Sequence, residues 1–522
     1  MPDDPVEAPL PTASREGGGV LARVITFALD GFDARQVWVE VDVRAGLPAF
    51  NVVGLGDKAV REARERVHAA ILNQGFAFPQ KRITANLAPA YLRKTGPSFD
   101  LPLALGVLAA SEQLPRERLD SVAVFGELSL SGDVRPARGT LAVAEGARRE
   151  GVEVLVLARE RADEAALVDG LVVGAVTTLR EAVEGLREGV LPPPPAIPVV
   201  PRDSAEEPDL ADVEGQPFAV HALTVAAAGG HNLLMQGPPG TGKTMLARRL
   251  PGILPPLTNS EALEVTRVHS VAGLRRGPGL VTVRPFRAPH HGTSPSGLVG
   301  GGSAPEPGEA SLAHHGVLFL DELAEFPRPS LEALRQPLED GHITVVRGQH
   351  AVRFPTRFQL VAATNPCLCG AAGTPRCRCT EADHLRYRRR LSGPLLDRID
   401  LVVTVDRPVL GTGLSRAGSS EIRERVLAAR ERQERRSART GASANARLEL
   451  RVLRREVGVS DEAEDALSRA YALGKVTARG RHRVLRVALT LADLAGRDGI
   501  DLPDVTQALA FRGWAPAEGM AA

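Results

Sequence analysis

The first third of the chain alternates between short β-branched runs and longer segments of helical periodicity. The apolar runs are VWVEVDV, RITANL, VAVFGEL and VEVLVLA, and the helical segments include DKAVREARERVHAAILNQG and TLAVAEGARREG. Strand-like runs that alternate with amphipathic segments are typical of a mixed sheet covered by helices. The pattern therefore predicts one α/β domain over residues 20–188.

A proline-rich stretch interrupts this pattern. It reads GVLPPPPAIPVVPRDSAEEPD, and its proline and acidic residues leave no apolar periodicity. Such a composition favours an extended connection, so we predict a linker over residues 189–211. Residues 1–19 are also acidic and rich in proline, and we expect them to be disordered.

Downstream of the linker, short apolar runs give way to an almost purely helical pattern. NLLMQ, GVLFLDE, FQLVAATN and DLVVTV predict a parallel sheet with helices on both faces over residues 212–408. EIRERVLAARERQERRSAR and RHRVLRVALTLADLAG then indicate a separate helical lid domain over residues 409–522. The predicted fold is thus α/β, with a small α/β domain, a parallel-sheet core and a helical lid.

Composition restricts the class of protein further. The 522 residues are 43% hydrophobic and 24% charged, which suffices for several buried cores. No run approaches the ~20 apolar residues of a membrane span, and the amino terminus lacks an export signal. We therefore expect a cytoplasmic protein without membrane contact. The net charge of +1 means that any contact with nucleic acid must come from local basic patches.

The most specific motif is GPPGTGKT, which lies between the apolar NLLMQ and the helical MLARRL. It matches the phosphate-binding loop in its strand–loop–helix context. Backbone N–H groups of such a loop meet nucleotide phosphates, while its lysine reaches the β- and γ-phosphates and its last threonine binds Mg²⁺. The predicted nucleotide contacts are Gly237, Pro238, Pro239, Gly240, Thr241, Gly242, Lys243 and Thr244.

Polar residues follow two later apolar runs at positions suited to catalysis. Asp321 ends GVLFLD and is predicted to hold Mg²⁺ together with Thr244, while Glu322 is placed to polarise the attacking water. Asn365 follows FQLVAAT and is placed to orient that water, although capping of a turn before Pro366 is the alternative. The sequence therefore predicts hydrolysis of ATP with Mg²⁺ as cofactor.

Two arginines are candidate catalytic residues that contact the γ-phosphate. Arg398, in GPLLDRIDL, is placed to reach the nucleotide of a neighbouring subunit, and an intramolecular salt bridge is the alternative. Arg479, in VTARGRHRVLRVA, is placed at a helix start to act within its own subunit. Arg483 and Arg486 compete for that second role.

With these motifs the chain resembles the AAA+ ATPases, and more narrowly the magnesium-chelatase-like family of ComM (YifB) proteins. The resemblance covers about residues 20–515 and also rests on RPFRAPHHGTSPSGLVGGG, PGEASLAHHGVLFLDELAEF, LRQPLEDGHITVVRG and ARGRHRVLRVALTLADL. It implies a hexameric ring ATPase that acts on single-stranded or branched DNA, similar to helicases that drive branch migration in natural transformation. It also implies that the Walker A, Walker B, sensor 1, arginine-finger and sensor 2 positions are Lys243, Thr244, Asp321, Glu322, Asn365, Arg398 and Arg479.

The stretch GHITVVRGQHAVRFP predicts a β-hairpin, with ITVV and AVRF joined across RGQH. Hairpins at this place in related AAA+ rings point into the central pore, so the resemblance implies that the tip grips DNA. Arg347 and His350 at the tip are candidate phosphate contacts, with Arg353 behind them. A solvated basic turn is the alternative.

A second basic stretch is VTVRPFRAPHHG, residues 281–292. The resemblance suggests that it belongs to an insert in the second helix of the core and forms another pore element. Its adjacent histidines lack the i,i+4 spacing of helical metal ligands, which argues against a metal site. Around Phe286 it offers His290 and His291 together with two further candidate DNA contacts, Arg284 and Arg287.

In the first domain, RKTGPSFDLP and FGELSLSGDVRPARGTL resemble the proteolytic domain of Lon-type peptidases, which has a ribosomal protein S5 domain 2-like fold. A Ser-Lys peptidase would need Ser98 as nucleophile and a lysine as its base. The position expected to carry that lysine holds Leu141, and Lys94 is the nearest substitute in sequence. We therefore expect a Lon-like fold that guides substrate or contacts DNA without peptidase activity.

All four cysteines fall within CLCGAAGTPRCRC. In a cytoplasmic protein a permanent disulfide is not expected. Two C-x-C pairs can supply four thiolates to zinc, although C-x₂-C pairs are commoner, and free thiols or redox sensing are alternatives. The candidate zinc ligands are Cys367, Cys369, Cys377 and Cys379.

Three classes of function remain open from the sequence. A DNA translocase or helicase accounts for the ATP motifs, the hairpin and the Lon-like domain. A motor that inserts magnesium into a porphyrin shares the ATPase core but is not expected to carry a Lon-like domain. An ATP-regulated peptidase or a protein-remodelling factor is the third class, and the missing lysine at position 141 weakens it.

Overall fold

The computed structural model describes most of the chain. The described residues are 20–54, 56–196, 208–275, 277–302, 305–347, 350–372, 375–391, 393–407 and 417–512, without the side chains of Val20, Arg347 and His350. The described residues form two compact units, the first over 20–196 with 277–279 and the second over 208–275 with 280–512. The prediction of disorder for residues 1–19 falls outside the described residues.

The first unit contains a seven-stranded sheet, a two-stranded ribbon and five helices among its described residues. Its strands are β1 (Val20–Asp30), β2 (Asp33–Arg44), β3 (Ala49–Val53), β4 (Arg82–Ala88), β5 (Val122–Phe125), β6 (Glu127–Leu128), β7 (Val134–Arg135), β8 (Val154–Ala158) and β9 (Val172–Val176). Its helices are α1 (Lys58–Asn73), α2 (Asp100–Ala110), α3 (Thr140–Arg149), α4 (Ala162–Ala165) and α5 (Leu179–Glu188).

The large sheet has the strand order β3-β4-β2-β1-β5-β8-β9. β1, β2 and β4 pair antiparallel, whereas β5, β8 and β9 pair parallel. β2 shows why this region forms a sheet, because Val37, Val39 and Val41 are fully buried and alternate with the more exposed Trp38, Glu40 and Asp42. The unit is therefore α/β, as the sequence predicts, with α2 buried along its whole length.

The second unit contains a five-stranded sheet, a hairpin and fourteen α-helices among its described residues. Its strands are β10 (Leu233–Gln236), β11 (Phe286–Arg287), β12 (Val317–Leu320), β13 (His342–Arg347), β14 (His350–Pro355), β15 (Gln359–Thr364) and β16 (Leu401–Thr404). Its helices are α6 (Pro217–Gly229), α7 (Lys243–Ile253), α8 (Asn259–Val271), α9 (Pro295–Val299), α10 (Glu309–Leu312), α11 (Arg328–Ala333), α12 (Arg335–Asp340), α13 (Glu381–Arg390), α14 (Gly393–Leu396), α15 (Ser419–Thr440), α16 (Leu450–Glu456), α17 (Asp461–Ala472), α18 (Ala478–Leu494) and α19 (Leu502–Ala510).

The core sheet of this unit is parallel throughout, with the strand order β11-β12-β15-β10-β16. β12 and β15 are buried at every position, as expected for strands covered on both faces. The last five helices, α15 to α19, form the carboxyl-terminal helical region. The predicted order of a parallel-sheet core followed by helices is confirmed.

Two local predictions within the second unit have different outcomes. The hairpin is confirmed, because β13 and β14 pair antiparallel from His342–Pro355 to Arg347–His350. The assignment of residues 281–292 to a helix insert is wrong, since this stretch contains β11, the edge strand of the parallel sheet. In the described residues no helix has both the length and the apolar character needed to cross a membrane.

Candidate functional site: a nucleotide cleft at the carboxyl edge of the parallel sheet

Three neighbouring strands of the core sheet end beside one another. β10 runs into the GPPGTGKT loop, β12 into Asp321 and β15 into Asn365. Carboxyl ends of parallel strands share one edge, which is where open α/β sheets bind ligands. A cleft of about 440 Å³ lies there, lined by Pro239, Gly240, Thr241, Gly242, Lys243, Thr244, Met245, Asp321, Glu322, Thr364 and Asn365.

Glycines allow the phosphate-binding loop to adopt its curvature. Gly240 and Gly242 have φ angles of 77° and 87°, which residues with a Cβ rarely adopt. A Cβ at Gly237 would lie 2.0 Å from the carbonyl oxygen of Val405, so this position has no space for a side chain. The loop leads into α7, whose first residue is Lys243, and places a helix N-terminus at the cleft.

Lys243 is held inside the cleft. The residue is 9% exposed, and its Nζ donates to the carbonyl oxygens of Gly237 at 2.7 Å and Pro238 at 2.8 Å. The same Nζ lies 3.4 Å from Oδ1 of Asn365, which links the loop to the end of β15. Burial lowers the pKa of the Lys243 ammonium, and the nearby carboxylates of Asp321 and Glu322 oppose that shift.

Thr244 and Asp321 form a pair of oxygen donors at the floor of the cleft. The hydroxyl of Thr244 donates to Oδ2 of Asp321 at 2.6 Å. Hydroxyl and carboxylate oxygens are the hard ligands that Mg²⁺ prefers, usually with several waters and substrate phosphates. This donor set fits Mg²⁺, which would offset the charge of the phosphates there.

Glu322 lies next to this pair and has an unusual backbone. Its φ angle is 52°, in the left-handed region, and its N–H donates to Oδ1 of Asp321 at 3.0 Å. Its carboxylate is close to His291, with 3.4 Å between Oε2 and Nδ1. This contact of His291 was not predicted from the sequence, and the signal for it is that the histidine follows β11 and so lies at the same sheet edge.

The contact from His291 predicts a positioning effect on Glu322. Both side chains are partly exposed, at 39% and 56%, so the pair is worth about 0.2–1 kcal/mol. We expect His291→Ala to lower kcat for ATP about twofold to fivefold with little change in KM, and His291→Asn to restore most of kcat. Steady-state ATPase assays of both variants would measure this. A changed KM with an unchanged kcat would contradict the assignment.

The predicted arginines differ in their surroundings. Arg398 forms a salt bridge with Glu339 of the same chain, which is the alternative considered from the sequence. Arg479 lies exposed in the first turn of α18. Its competitors are engaged elsewhere, because Arg483 pairs with Asp400 at 3.8 Å and Arg486 donates to the carbonyl of Leu448.

Arg284 has a structural role instead of the predicted DNA contact. Its guanidinium donates to the carbonyls of Pro255, Pro256 and His315 and to the carboxylate of Glu261. These partners occupy all three guanidinium nitrogens, and burial lowers the pKa of the side chain. The structure therefore does not support Arg284 as a residue that grips DNA.

Arg287 is also committed within the chain. It makes a two-pronged ion pair with Glu309, at 2.6 Å and 2.7 Å. Such a geometry matches the planar guanidinium to one carboxylate and leaves little capacity for a phosphate. The structure therefore gives no support to the prediction that Arg287 contacts DNA.

At the tip of the hairpin, residues 348 and 349 lie outside the described residues, and only the backbones of Arg347 and His350 are described. Arg347 and His350 form its last residue pair, and their side chains lie outside the described residues. Arg353, further from the tip, donates to Nδ1 of His342 at 2.9 Å. The prediction that Arg347 and His350 contact DNA thus stays a prediction.

A second cleft of about 390 Å³ adjoins the phosphate-binding loop and was not predicted from the sequence. Gln216 lines it and lies 3.5 Å from the carbonyl of Thr241 in that loop. The exposed ring of Phe218 also lines it and stacks on Phe511 with 5.2 Å between ring centroids. An aromatic ring beside an amide can hold a nucleotide base by stacking and hydrogen bonding.

A cluster of Glu264, His314 and His315 has the composition of a metal site. Nδ1 of His314 accepts the N–H of Arg357, so its proton resides on Nε2, which donates to Glu264 at 2.9 Å. Burial lowers the pKa of His314 to about 4, which keeps the ring neutral. Hydrogen bonds thus satisfy His314 without a metal.

In the first unit the position expected to carry the catalytic lysine of a peptidase is apolar. Leu141 is completely buried in α3, where a catalytic lysine would be needed. Lys94 is buried, and its Nζ donates to the carbonyl of Pro89. The backbone carbonyl of Ser98 accepts the N–H of Gly126 at 3.1 Å, which fixes the turn around the serine.

The fold and the cleft define a nucleotide-binding P-loop protein with an AAA+-like core. Three family descriptions match the chain: "Magnesium chelatase, subunit ChlI" over residues 209–411, "Subunit ChlI of Mg-chelatase" over 39–161 and "Magnesium chelatase, subunit ChlI C-terminal" over 416–512. The chain belongs to the magnesium-chelatase-like ComM/YifB family.

Two relatives match over nearly their whole length. The competence protein ComM of Haemophilus influenzae is 43% identical over 503 residues, which cover 94% of this chain and 97% of ComM. YifB of Escherichia coli is 42% identical over 502 residues, which cover 94% and 97%. A Lon protease of Bacillus subtilis is 31% identical over 147 residues, only 27% of this chain and 26% of the protease.

Proposed function

We propose that this protein is an ATP-hydrolysing motor that acts on DNA as a ring of identical subunits, a hexamer that promotes branch migration. The observation that carries the proposal is the convergence of Lys243, the Thr244–Asp321 pair and Glu322 on one cleft. This arrangement suits phosphoryl transfer to water, in which catalysis depends on positioning and on charge stabilisation.

Each residue of the cleft has a separate task in this proposal. Lys243 and the loop N–H groups bind the β- and γ-phosphates, and Thr244 with Asp321 would hold Mg²⁺. Glu322 accepts a proton from the attacking water, and Asn365 orients that water. The base of the nucleotide occupies the second cleft, beside Phe218.

The hairpin is the proposed contact with DNA. Ile343, Val352 and Phe354 are buried at its base, whereas Val346 near the tip is 64% exposed. Because the base is packed and the tip is exposed, movement of the base would displace the tip. Only three residues separate the hairpin from β15, and Asn365 follows the end of that strand. A change at the γ-phosphate can therefore move the tip.

The name of one relative supports DNA as the substrate. The Haemophilus relative is named a competence protein, and competence is the uptake of DNA.

In a ring, Arg398 would exchange its salt bridge with Glu339 for the γ-phosphate bound by the neighbouring subunit. The first unit, which resembles part of a Lon protease, would act as a collar that guides the strand.

We expect DNA to stimulate hydrolysis by the full-length protein, with branched DNA also being remodelled. The test measures ATPase rates with single-stranded, duplex and branched DNA, and branch migration on a synthetic four-way junction, in the same preparation. The double variant Arg347→Ala, His350→Ala should retain basal hydrolysis but lose stimulation. Each lost phosphate contact should also lower the salt slope of DNA binding by about one.

The matched control for the double variant is an exposed arginine outside the hairpin. Arg328→Ala removes an exposed arginine that pairs only with its helix neighbour Glu332 among the described contacts, and it should leave every rate unchanged. ATPase rates indifferent to all three DNA forms would overturn the proposal. Equal loss of basal and stimulated hydrolysis in the double variant would make the hairpin structural.

A magnesium-chelatase motor is the second candidate, because all three family descriptions carry that name. It would need partner subunits that bind the porphyrin, and hydrolysis would respond to them and not to DNA. Measuring hydrolysis with a porphyrin and with DNA separates the two candidates.

If the first unit were a peptidase, the protein would cleave casein and Ser98→Ala would abolish that cleavage. The buried Leu141, at the position expected to carry the catalytic lysine, argues against peptidase activity.

A further inference from the structure

The four cysteines come together immediately after Asn365. The Sγ atoms of Cys367 and Cys369 are 3.4 Å apart, those of Cys369 and Cys377 3.6 Å, and those of Cys367 and Cys377 3.9 Å. With Cys379 included, all four sulfurs lie within 4.8 Å of one another. All four are free thiols, and these separations far exceed the S–S bond of about 2.05 Å in a disulfide.

These separations match a single tetrahedral metal centre. Zinc–sulfur bonds are about 2.3 Å long, and four sulfurs at the corners of such a tetrahedron lie about 3.8 Å apart. The three separations above scatter around that value. We propose that Cys367, Cys369, Cys377 and Cys379 bind one structural Zn²⁺ ion.

The surroundings of the sulfurs suit thiolate ligands. The sulfur of Cys369 accepts backbone N–H groups from Arg378 and Ala371, and such donors stabilise the negative charge of metal-bound thiolates. Nε2 of His384 lies 3.5 Å from the sulfur of Cys377 and is placed to donate to it. Four thiolates fill the tetrahedron, so the site has no open position for catalysis.

The position of the cluster shows what the ion would stabilise. Cys367 lies two residues after Asn365, and Cys379 precedes Thr380, the residue that caps α13. Gly370, at a φ of 75°, forms the turn between them, and its N–H donates to the carbonyl of Cys367 at 3.0 Å. The ion would thus join the end of β15 to the start of α13.

The same turn packs against the phosphate-binding loop. A Cβ on Gly370 would lie 2.5 Å from Cδ of Pro239, so the cysteine turn and the loop are in direct contact. Tyr387 in α13 adds a second tie, because its hydroxyl lies 3.2 Å from that of Thr364 at the end of β15. The ion would therefore brace two walls of the nucleotide cleft.

The proposal is tested on the full-length chain, purified with reductant and without oxygen. Elemental analysis should find about one zinc ion per chain in the wild type and in Arg328→Ala, an exposed arginine that pairs with Glu332, and little in the double variant Cys369→Ser, Cys377→Ser. A thiol-reactive mercurial should release zinc from the folded wild type as the cysteines react, which does not depend on whether the variant folds. Metal-stripped protein that binds Co²⁺ should show the absorption of a tetrahedral cobalt thiolate.

Other outcomes would overturn the assignment. Wild-type protein that contains no zinc and gives no cobalt thiolate absorption has no such site. Full zinc content in the double variant would place the metal elsewhere, and iron in place of zinc would change the identity of the ion. None of these readouts depends on ATP hydrolysis or DNA, so the zinc proposal can fail while the proposed function stands.

Discussion

Lys243→Ala is expected to abolish ATP hydrolysis, with a fall in rate of at least roughly 10²-fold. The ammonium is buried at the phosphate-binding loop, and it is the group placed to offset charge on the β- and γ-phosphates. Alanine would also remove the contact to Asn365, so the end of β15 would lose its connection to the loop. Steady-state hydrolysis and binding of a fluorescent ATP analogue would measure the two effects separately.

Lys475→Ala serves as the matched control for this variant. Lys475 is exposed between α17 and α18 and lies outside the cleft, so its loss should leave binding and hydrolysis unchanged. A thermal unfolding curve for both variants would show that the fold is intact. If Lys243→Ala hydrolysed ATP at the wild-type rate, Lys243 would not take part in hydrolysis, and the proposed cleft would not be the site of the reaction.

The parts of the site that the sequence predicts correctly are contiguous in the chain. The loop at residues 237–244 is predictable because its glycines, its lysine and its threonine are close together in sequence and form one continuous piece of backbone. Asp321 and Asn365 are predictable because each directly follows a buried apolar strand, and parallel strands bring their carboxyl ends to one edge. Local pattern therefore suffices for these residues.

The residues that sequence reasoning misses depend on distant packing. His291 reaches Glu322 only because β11 pairs with β12, and a two-residue strand leaves almost no pattern to detect. Arg284 looks like a free basic residue in sequence, but carbonyls and a carboxylate from three other segments surround it. Gln216 lies in a segment without periodicity, so nothing in the sequence marks it as part of a cleft.

The secondary structure also divides into elements that local sequence pattern predicts and elements that depend on distant packing. The β-branched runs of the first unit form strands as predicted, yet β1 was missed because VLARVITFALD mixes alanine and charge with its apolar residues. Its strand character comes from pairing with β2 along its whole length. α2 begins within the Lon-like RKTGPSFDLP, and its apolar character on all sides reflects complete burial.

Glu322→Gln is expected to separate binding from turnover. Glutamine keeps the size of the side chain and can still accept from His291, but it cannot take a proton from water, so kcat should fall roughly 10²–10⁴-fold. ATP affinity should stay near the wild-type value, because Lys243 and the Thr244–Asp321 pair are untouched. Single-turnover hydrolysis with equilibrium binding of ATP would measure both quantities.

Glu332→Gln is the control for Glu322→Gln, since Glu332 is an exposed residue that pairs with Arg328 on α11 and lies outside the cleft. Because the Glu322→Gln chain should hold ATP without consuming it, we expect it to accumulate as an ATP-bound assembly, which sedimentation would detect against the nucleotide-free protein. Wild-type turnover in Glu322→Gln would show that another group activates the water. A parallel loss of ATP binding would instead show that the carboxylate of Glu322 is needed to hold the nucleotide, which would contradict a role confined to turnover.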